Sequence, residues 1–573
     1  MQSVSALGRF NPLPACSLLV DRFTNVTAAL AGTAASPLPD AHRSVLNEEL
    51  WWLTTFSGYL LADDSRGEAV CVPPTLNALS CAKAREARAA AGGKPGDSLG
   101  ANDPVVVLIS RVFAVCQAAQ TVPTVSPLLH GRLLWFLSRW MGVYLMPNLA
   151  LYSGEALSIT ISRFYASTEE ALAVHPGVGA HHSAPGVLGF ILGHLCVVLR
   201  LQADEEDVVQ AAVEVVKSVV KNKPACAIAV TSEAWKGLVL AHLAAVAAAG
   251  EFIPSTKQQA QLTRTLATST RSVPSAGKQA YLAAMTAPLR DRLQAVLKSP
   301  AFLSEPTHPA VVSALARLFD NFGGLATARE FPREWLWETL VAALNAGVAL
   351  VDKYKSATLV TTAILNFFVA FMDSHVCLFL PFVDATTGNF VFIATGQLFQ
   401  AFVKHREGVA VTAGSEEEDT TRKHVKRLLT LLKHVVTKDL LDFGPHEGKP
   451  PAATATAADV ILFGVKLVLP LISIELLKYS TLCSLYMEVV LNLVDGYPEK
   501  LLQLEPAHFF ALLESMAGGI RHHSHTVARE TLEALFTLAK CVLCGGNTPE
   551  AGLNRFRTAE HGLFVRFAKV CER

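Results

Sequence analysis

Along most of this chain apolar residues recur every three or four positions, the spacing that gathers them on one face of an α-helix. Residues 457–496 show the pattern most fully. Val460, Phe463, Leu467 and Leu471 mark one stripe, and Leu482, Leu485, Val489 and Leu493 a second, with breaks at Pro470 and near Ser480. Thr456, followed three residues later by Asp459, predicts a capped helix start with the acid near the positive end of the helix dipole. Gly496-Tyr497-Pro498 predicts the stop, because glycine accepts positive φ and proline cannot donate to the helical ladder. The expected element is an antiparallel helix pair.

Similar runs follow one another from end to end: around 16–30, then 47–62, 105–120, 128–145, 187–201, 207–221, 233–249, 258–266, 279–297, 309–322, 335–352, 359–372, 396–405, 422–437, 507–516 and 526–543. No stretch shows the strict alternation of a half-buried strand. Helix pairs joined by polar, proline and glycine turns at spacings of about 40 to 47 residues predict a HEAT- or armadillo-like solenoid with on the order of a dozen pairs. The expected fold is all-α, a right-handed superhelix of antiparallel helix pairs running through 1–573 as one continuous solenoid. Flexible inserts are expected at 84–104, 175–186, 412–421 and 444–457, where small, polar, glycine- or proline-rich residues accumulate. The acidic run Ser415-Glu416-Glu417-Glu418-Asp419 is expected in the third of these, as a solvated loop.

Composition sharpens this picture in four ways. The chain of 573 residues is too long for one ordinary core, which favours several domains or a repeat array. Apolar residues make up 51% and charged residues 17%, with a mean hydropathy of +0.34. Helices flanked by neighbours on two sides explain that oiliness. The most apolar windows, 460–474 and 365–383, are interrupted by Lys466 and Pro470, and by Asp373, His375 and Pro381, short of the roughly 20 apolar residues of a membrane span. The 49 basic and 49 acidic residues cancel, so no global attraction to nucleic acid or to an anionic membrane follows, and neither nucleic acid nor membrane insertion is expected. The 11 scattered cysteines read as free core thiols in a reducing compartment.

Candidate chemistry is sparse. Cys541-x-x-Cys544 with His522, His523 and His525 upstream can be drawn as a zinc site. A buried thiol pair beside a polar turn is the preferred reading. There is no phosphate-binding P-loop, no glycine-rich dinucleotide turn, no H-E-x-x-H and no G-x-S-x-G. Gly518-Gly519 and Gly545-Gly546 are read as helix C-caps, and Trp51-Trp52 and the run LLWFLSRW as core stripes. Neither catalysis nor a cofactor or metal is expected. The one polar feature that stands out is Asp63, Asp64 and Glu68, three carboxylates within six residues at the end of an apolar helix. Such a turn could receive a cationic group, or it is an ordinary solvated turn neutralised by Arg66.

Particular residues then suggest a family. The segment ELWWLTTFSGYLLADDSRGE at 49–68, the helix at 128–145, and 458–504 with its ADV, LLKYSTLCSLY and YPEK runs resemble the exportins, nuclear export receptors of the importin-β (karyopherin) superfamily. The matches keep their order over at least residues 46–540. The resemblance implies a HEAT-repeat receptor that binds cargo together with Ran-GTP, touches Phe-Gly nucleoporins, and shuttles between nucleus and cytoplasm through the nuclear pore complex. It implies cargo that includes the hypusine-bearing translation factor 5A and transcription regulators. Since hypusine is a long polyamine cation, it also makes Asp63, Asp64 and Glu68 candidate cargo-binding residues. The resemblance further implies that the chain is part of a longer receptor, lacking the N-terminal repeats that hold Ran and the last C-terminal repeats, so that Ran binding by this chain alone would be weakened or lost. The alternative is a HEAT-repeat scaffold or adaptor that works without Ran.

Overall fold

The structure, a computed structural model, describes residues 2–32, 39–62, 71–90, 102–122, 125–145, 157–162, 184–248, 255–354, 357–379, 385–404, 416–437, 462–466, 469, 477, 479–496, 501 and 504–544. Among these, every regular element is helical. Contacts divide the chain into two compact units, Met1–Pro288 and Leu289–Arg573.

The first unit holds α1 (Gln2–Phe10), α2 (Pro12–Gly32), α3 (Asp40–Leu61), α4 (Pro74–Ala90), α5 (Pro104–Thr121), α6 (Pro127–Val143), α7 (Ile159–Ser162), α8 (Ala184–Leu201), α9 (Glu206–Lys221), α10 (Lys223–Ala229), α11 (Glu233–Ala248) and α12 (Thr256–Thr268). Helices α2, α5, α8 and α11 pack on one another in that order as one layer, and α3, α6, α9 and α12 as the other. Ahead of each pair comes a further helix: α1, α4, α7 and α10. In this unit each helix pair is thus joined by a third helix, as in armadillo units, within the HEAT- or armadillo-like architecture expected from the sequence.

Several helix starts follow from local chemistry. Asp103, Ser126 and Asn222 each accept a backbone N–H through the side chain at an N-cap, and proline stands within the next two positions. Proline there forgoes only an N–H that has no helical partner, and its φ already suits the helix. The apolar faces so started meet in the middle of the unit. Phe113 of α5 lies edge-on to Trp140 of α6 at 4.9 Å and touches Phe190 of α8 at 5.7 Å.

The second unit takes over within α13 (Ser275–Lys298), which contains Pro288, and continues through α14 (Pro300–Ser304), α15 (Pro309–Ala326), α16 (Arg333–Lys353), α17 (Thr358–Phe379), α18 (Ala385–Lys404), α19 (Glu416–Thr437), α20 (Ser480–Gly496), α21 (Pro506–Ile520) and α22 (His525–Cys544). Here the period is two helices. One layer runs α15, α17, α19, α20, α22, and α16 packs on α18 in the other. Phe319 and Phe322 of α15 close on Phe367 of α17 at 5.9 and 6.0 Å, all three fully buried. Among the described residues two helices, α5 and α16, are long and apolar enough to cross a bilayer. Both pack against neighbours in their stacks, α5 on α2 and α8, and α16 on α17 and α18.

Several expectations are corrected. Equivalent helices of the first unit begin at Pro12, Pro104, Ala184 and Glu233, a wider and less even spacing than the 40 to 47 residues of regular repeats. The expected insert at 84–104 starts later, because α4 continues to Ala90: Ala, Arg and Glu of AREARAA are strong helix formers, and the glycines come only afterwards. Helix α8 likewise begins at Ala184, inside the expected insert 175–186. The acidic run of the third insert is not a loop. Glu416–Asp419 form the first turn of α19, where carboxylates favour the positive end of the dipole, and Asp419 pairs with Arg422 and, at 2.5 Å, with Lys423.

The phase of the 460s stripe also shifts. Phe463 is 36% exposed, whereas Gly464, Val465 and Leu469 are buried. Gly464 has no room for a side chain, since a Cβ there would come within 2.5 Å of Leu432 on α19. The expected helix start at Thr456 and Asp459, the break at Pro470 and the insert 444–457 lie outside the described residues. In the second half of that stretch α20 ends at Gly496 as predicted, with Leu482, Val489 and Leu493 buried. Finally, Gly518 and Gly519 are not C-caps but lie within α21, which ends at Ile520. A Cβ on Gly519 would meet Thr531 Oγ1 at 2.5 Å and the Met487 methyl at 2.7 Å. The glycine lets α21 lie close against α22 and α20.

Candidate functional site

The expected site begins where α3 ends. Asp63, Asp64 and Glu68 themselves lie outside the described residues, but the helix that leads into them is well tied down. The last carbonyls of a helix have no partner within it, and here side chains from two other helices, with Tyr144 just after α6, supply partners. Arg9 of α1 donates to the carbonyls of Tyr59 and Leu60, the latter at 3.2 Å. Arg139 of α6 donates through Nε to Gly58 O at 3.0 Å and through Nη2 to Ala62 O at 2.7 Å. The Tyr144 hydroxyl donates to Leu61 O at 2.8 Å. Two guanidinium groups thus converge on the negative end of the α3 dipole, immediately before Asp63 in the chain.

The same face of α3 and α6 carries a ladder of alternating cations and rings. The Arg132 guanidinium sits 4.4 Å from the Trp51 ring and 4.7 Å from Trp135. Arg139 in turn lies 5.5 Å from Trp135 and 4.9 Å from Tyr59. Each guanidinium lies against the negative faces of two rings. Burial pulls the Arg132 pKa below the ordinary arginine value, with the nearby Tyr59 acting in the opposite direction. At Gly58 a Cβ would run into Trp135 at 2.6 Å, so the ladder needs glycine on α3 to close against α6.

One helical turn towards the start of α3 the ladder opens into a groove of about 790 Å³ between α3 and the beginning of α6. Trp51, Trp52 and Leu128 supply apolar wall, and Asp40, Arg43 and Glu48 the charges. Trp52 is 38% and Leu128 76% exposed. Glu48 accepts from the Trp52 indole N–H at 3.4 Å. Asp40 is paired with Arg43 on the preceding turn. Buried Asn47 fixes the floor, accepting from Ser126 N at 2.8 Å just before α6 and donating to Arg43 O at 2.9 Å.

Trp140 is a core residue as the sequence reading expected, but Trp51, Trp52 and Trp135 are not: they line a surface. The groove joins residues 40–52 to 126–128, a juxtaposition no local pattern announces. The zinc constellation of the sequence reading is not assembled in the described part. The rings of His522 and His523 lie 4.1 Å apart, tilted by 31°, and His522 Nδ1 accepts from Ser524 N at 3.1 Å. The side chains of Cys541 and Cys544, on the last turn of α22, lie outside the described residues. Among the described residues no cluster of three or more His, Cys, Asp or Glu side chains could hold a metal ion. Cys16, Cys116, Cys226 and Cys483 are free and buried, and burial pushes the Cys16 thiol up to about 12.

Stacked helix triplets and pairs, with a half-exposed cation–aromatic face and an open groove between α3 and α6, make this a helical-repeat protein. Sequence comparison gives the family: the Exportin-4 family profile matches residues 1–551, and the chain belongs to that family. It is similar to Exportin-4 of Dictyostelium discoideum, 20% identical over 560 residues, which cover 94% of this chain and 44% of that relative. The chain therefore spans less than half the length of the curated relative it matches. Among solved structures it is similar to a circular tandem repeat protein with novel repeat topology (13% identical, 93% of this chain and 99% of the other covered, TM-score 0.28). A second is SYS-1 (11% identical, 90% and 99% covered, TM-score 0.22).

Proposed function

We propose that this chain is the cargo-handling part of a nuclear transport receptor, an exportin that binds cargo stoichiometrically with Ran-GTP and leaves it chemically unchanged. Membership of the Exportin-4 family over residues 1–551 carries this reading. The helical stacks support it, because successive layers expose long interhelical surfaces and such surfaces bind proteins. In this reading the receptor shuttles between nucleus and cytoplasm, with Phe-Gly nucleoporins as transient partners. Its cargo includes hypusine-bearing translation factor 5A and transcription regulators. The carboxylates Asp63, Asp64 and Glu68 receive a cationic cargo group, at the end of a helix whose carbonyls Arg9 and Arg139 hold.

The test is capture from nuclear extract on the immobilised chain, with Ran locked in its GTP or GDP form. The expected result is cargo retained on the chain alone with little dependence on Ran, and GTP-dependent retention once the chain is extended towards the length of its relative. Extended chain that retains cargo equally with either nucleotide would instead indicate a Ran-independent scaffold. For the acidic turn, Asp63→Asn with Asp64→Asn is expected to weaken hypusine-bearing cargo more than its unmodified lysine form; equal losses would reduce the turn to a structural role.

A further inference from the structure

We propose that the groove between the first half of α3 and the start of α6 binds a peptide segment of a partner protein in which a lysine or arginine stands next to a leucine-like side chain. The proposal does not depend on export, on Ran or on the acidic turn at 63–68.

Three observations carry it. The groove is open and about 790 Å³, the size of a few side chains rather than of a folded domain. Its apolar wall is exposed to solvent at Trp52, midway along α3, and at Leu128, at the start of α6. A leucine 76% exposed beside a tryptophan 38% exposed presents an apolar patch that a single aliphatic anchor would cover. The charge then fixes the neighbour of that anchor. Asp40 and Arg43 neutralise each other, which leaves Glu48 as the net charge among the described lining residues. Its Oε1 is oriented by the Trp52 indole N–H at 3.4 Å, and it makes no ion pair with a described residue. A carboxylate held at the edge of the exposed Trp52 indole attracts a cation by its own charge and by the Trp52 ring, while Trp51, which lies edge-on to Trp52 at 4.9 Å, already carries Arg132.

An acidic segment would meet Glu48 with like charge, and a neutral Phe-Gly segment would leave Glu48 without a role. The stem of a lysine or arginine can lie along the tryptophans while its head reaches the carboxylate. The leucine-like neighbour then covers Leu128.

The experiment titrates the full chain with fluorescein-labelled Gly-Lys-Leu-Gly-Lys-Leu-Gly, its Lys→Gln counterpart, its Lys→Glu counterpart and an uncharged Phe-Gly repeat peptide, reading fluorescence anisotropy. The lysine peptide is expected to bind about tenfold tighter than the glutamine peptide, and to weaken as salt is raised from about 50 to 500 mM. Glu48→Gln is expected to reduce affinity for the lysine peptide about fivefold while leaving the glutamine peptide unchanged. Glu48→Lys is expected to invert the preference, so that the glutamate peptide binds better than the lysine peptide, a gain that misfolding cannot mimic. Trp52→Ala is expected to weaken all peptides. Equal binding of lysine and glutamine peptides, tightest binding of the Phe-Gly peptide, failure of Glu48→Lys to invert the order, or no binding at millimolar peptide would each overturn the proposal.

Discussion

At the scale of single residues the chain holds polar groups in places where their chemistry is strongly constrained. His130, His194 and His242 are essentially fully buried. Burial pulls their pKa values down to about 4, about 3 and about 4, and the neighbouring His130 adds to the effect at His194. His194 Nδ1 lies 3.2 Å from Gln120 Nε2 and its ring stacks on Phe190, and His242 bonds Thr263 Oγ1 at 2.8 Å. In the unfolded chain each imidazole titrates near 6.5, so as pH falls the unfolded state takes up protons first. The stability tied to these neutral rings is complete above about pH 7 and is lost as pH falls from about 6.5 towards 4. At pH 5 each would have lost about 2 kcal/mol. Urea midpoints at pH 7.5 and 5.0 measure the loss. His242→Gln, which can still bond Thr263, is expected to show a smaller drop between the two pH values than the parent; an unchanged drop would remove His242 from the account.

Gly58 supplies a second residue-scale prediction. Alanine in a helix interior ordinarily gains about 1 kcal/mol over glycine, but here its Cβ would lie 2.6 Å from Cζ3 and 2.8 Å from Cη2 of Trp135. That ring is held between Arg132 and Arg139 and cannot swing aside freely. Overpacking of this kind costs about 1 to 3 kcal/mol, so Gly58→Ala is expected to lower the urea midpoint despite the better helix former. A raised midpoint would show that the ladder is loose.

Among the elements, the weakest-looking helix is tied by the densest polar cluster. The four-residue α7 sits on α4 through buried Ser80, Asp103, Ser158 and Thr160. Asp103 Oδ2 accepts from Ser80 and from Thr160, both at 2.5 Å, Ser158 Oγ lies 2.6 Å from Ser80 Oγ, and Asp103 Oδ1 caps α5 by accepting from Val105 N at 3.0 Å. One side chain thus starts α5 and fastens α7. Asp103→Ala removes a cap, worth about 1 kcal/mol, and leaves buried hydroxyls short of an acceptor, each at about 1 to 3 kcal/mol. Asp103→Asn keeps the capping oxygen, and the hydroxyls can turn to accept from its amide. Thermal melts are expected to place the alanine variant well below the asparagine one; coincident melts would mean that the cluster contributes only the cap.

Much at this scale was legible in the sequence, for a physical reason. Period is local, so the runs expected at 105–120, 128–145 and 309–322 correspond to α5, α6 and α15, each opened by an N-cap side chain just before proline. What was misjudged depends on partners far along the chain. Glu416–Asp419 look like a solvated run until the basic residues that follow them pair back onto Asp419. Gly519 looks like a stop until α20 and α22 are seen against it. The groove was invisible because a tryptophan on an amphipathic helix reads as core, and only α6 packing beside α3 turns Trp51 and Trp52 into a wall.

At the scale of the whole molecule, each layer within a unit is a chain of nearest-neighbour contacts among the described helices. Stability in such arrays is close to a sum of repeat and interface terms, so unfolding need not be all-or-none. The tryptophans make this measurable. Trp51, Trp52, Trp135, Trp140 and Trp235 belong to the first unit, and Trp335 and Trp337 to the second. Indole fluorescence therefore reports mainly on the first unit, while far-ultraviolet circular dichroism reports on helices throughout. Phe367 is fully buried on α17 among Phe319, Phe322 and Phe371, and its truncation should cost about 3 to 5 kcal/mol locally. Phe367→Ala is expected to move the circular dichroism transition to lower urea, or to split it, while the fluorescence transition moves much less. If both transitions shift together by the same amount, unfolding is a single cooperative event and the nearest-neighbour description fails. Asp103→Ala in the first unit supplies the converse: there fluorescence should move at least as far as circular dichroism, because α5 packs beside the layer that carries Trp135 and Trp140.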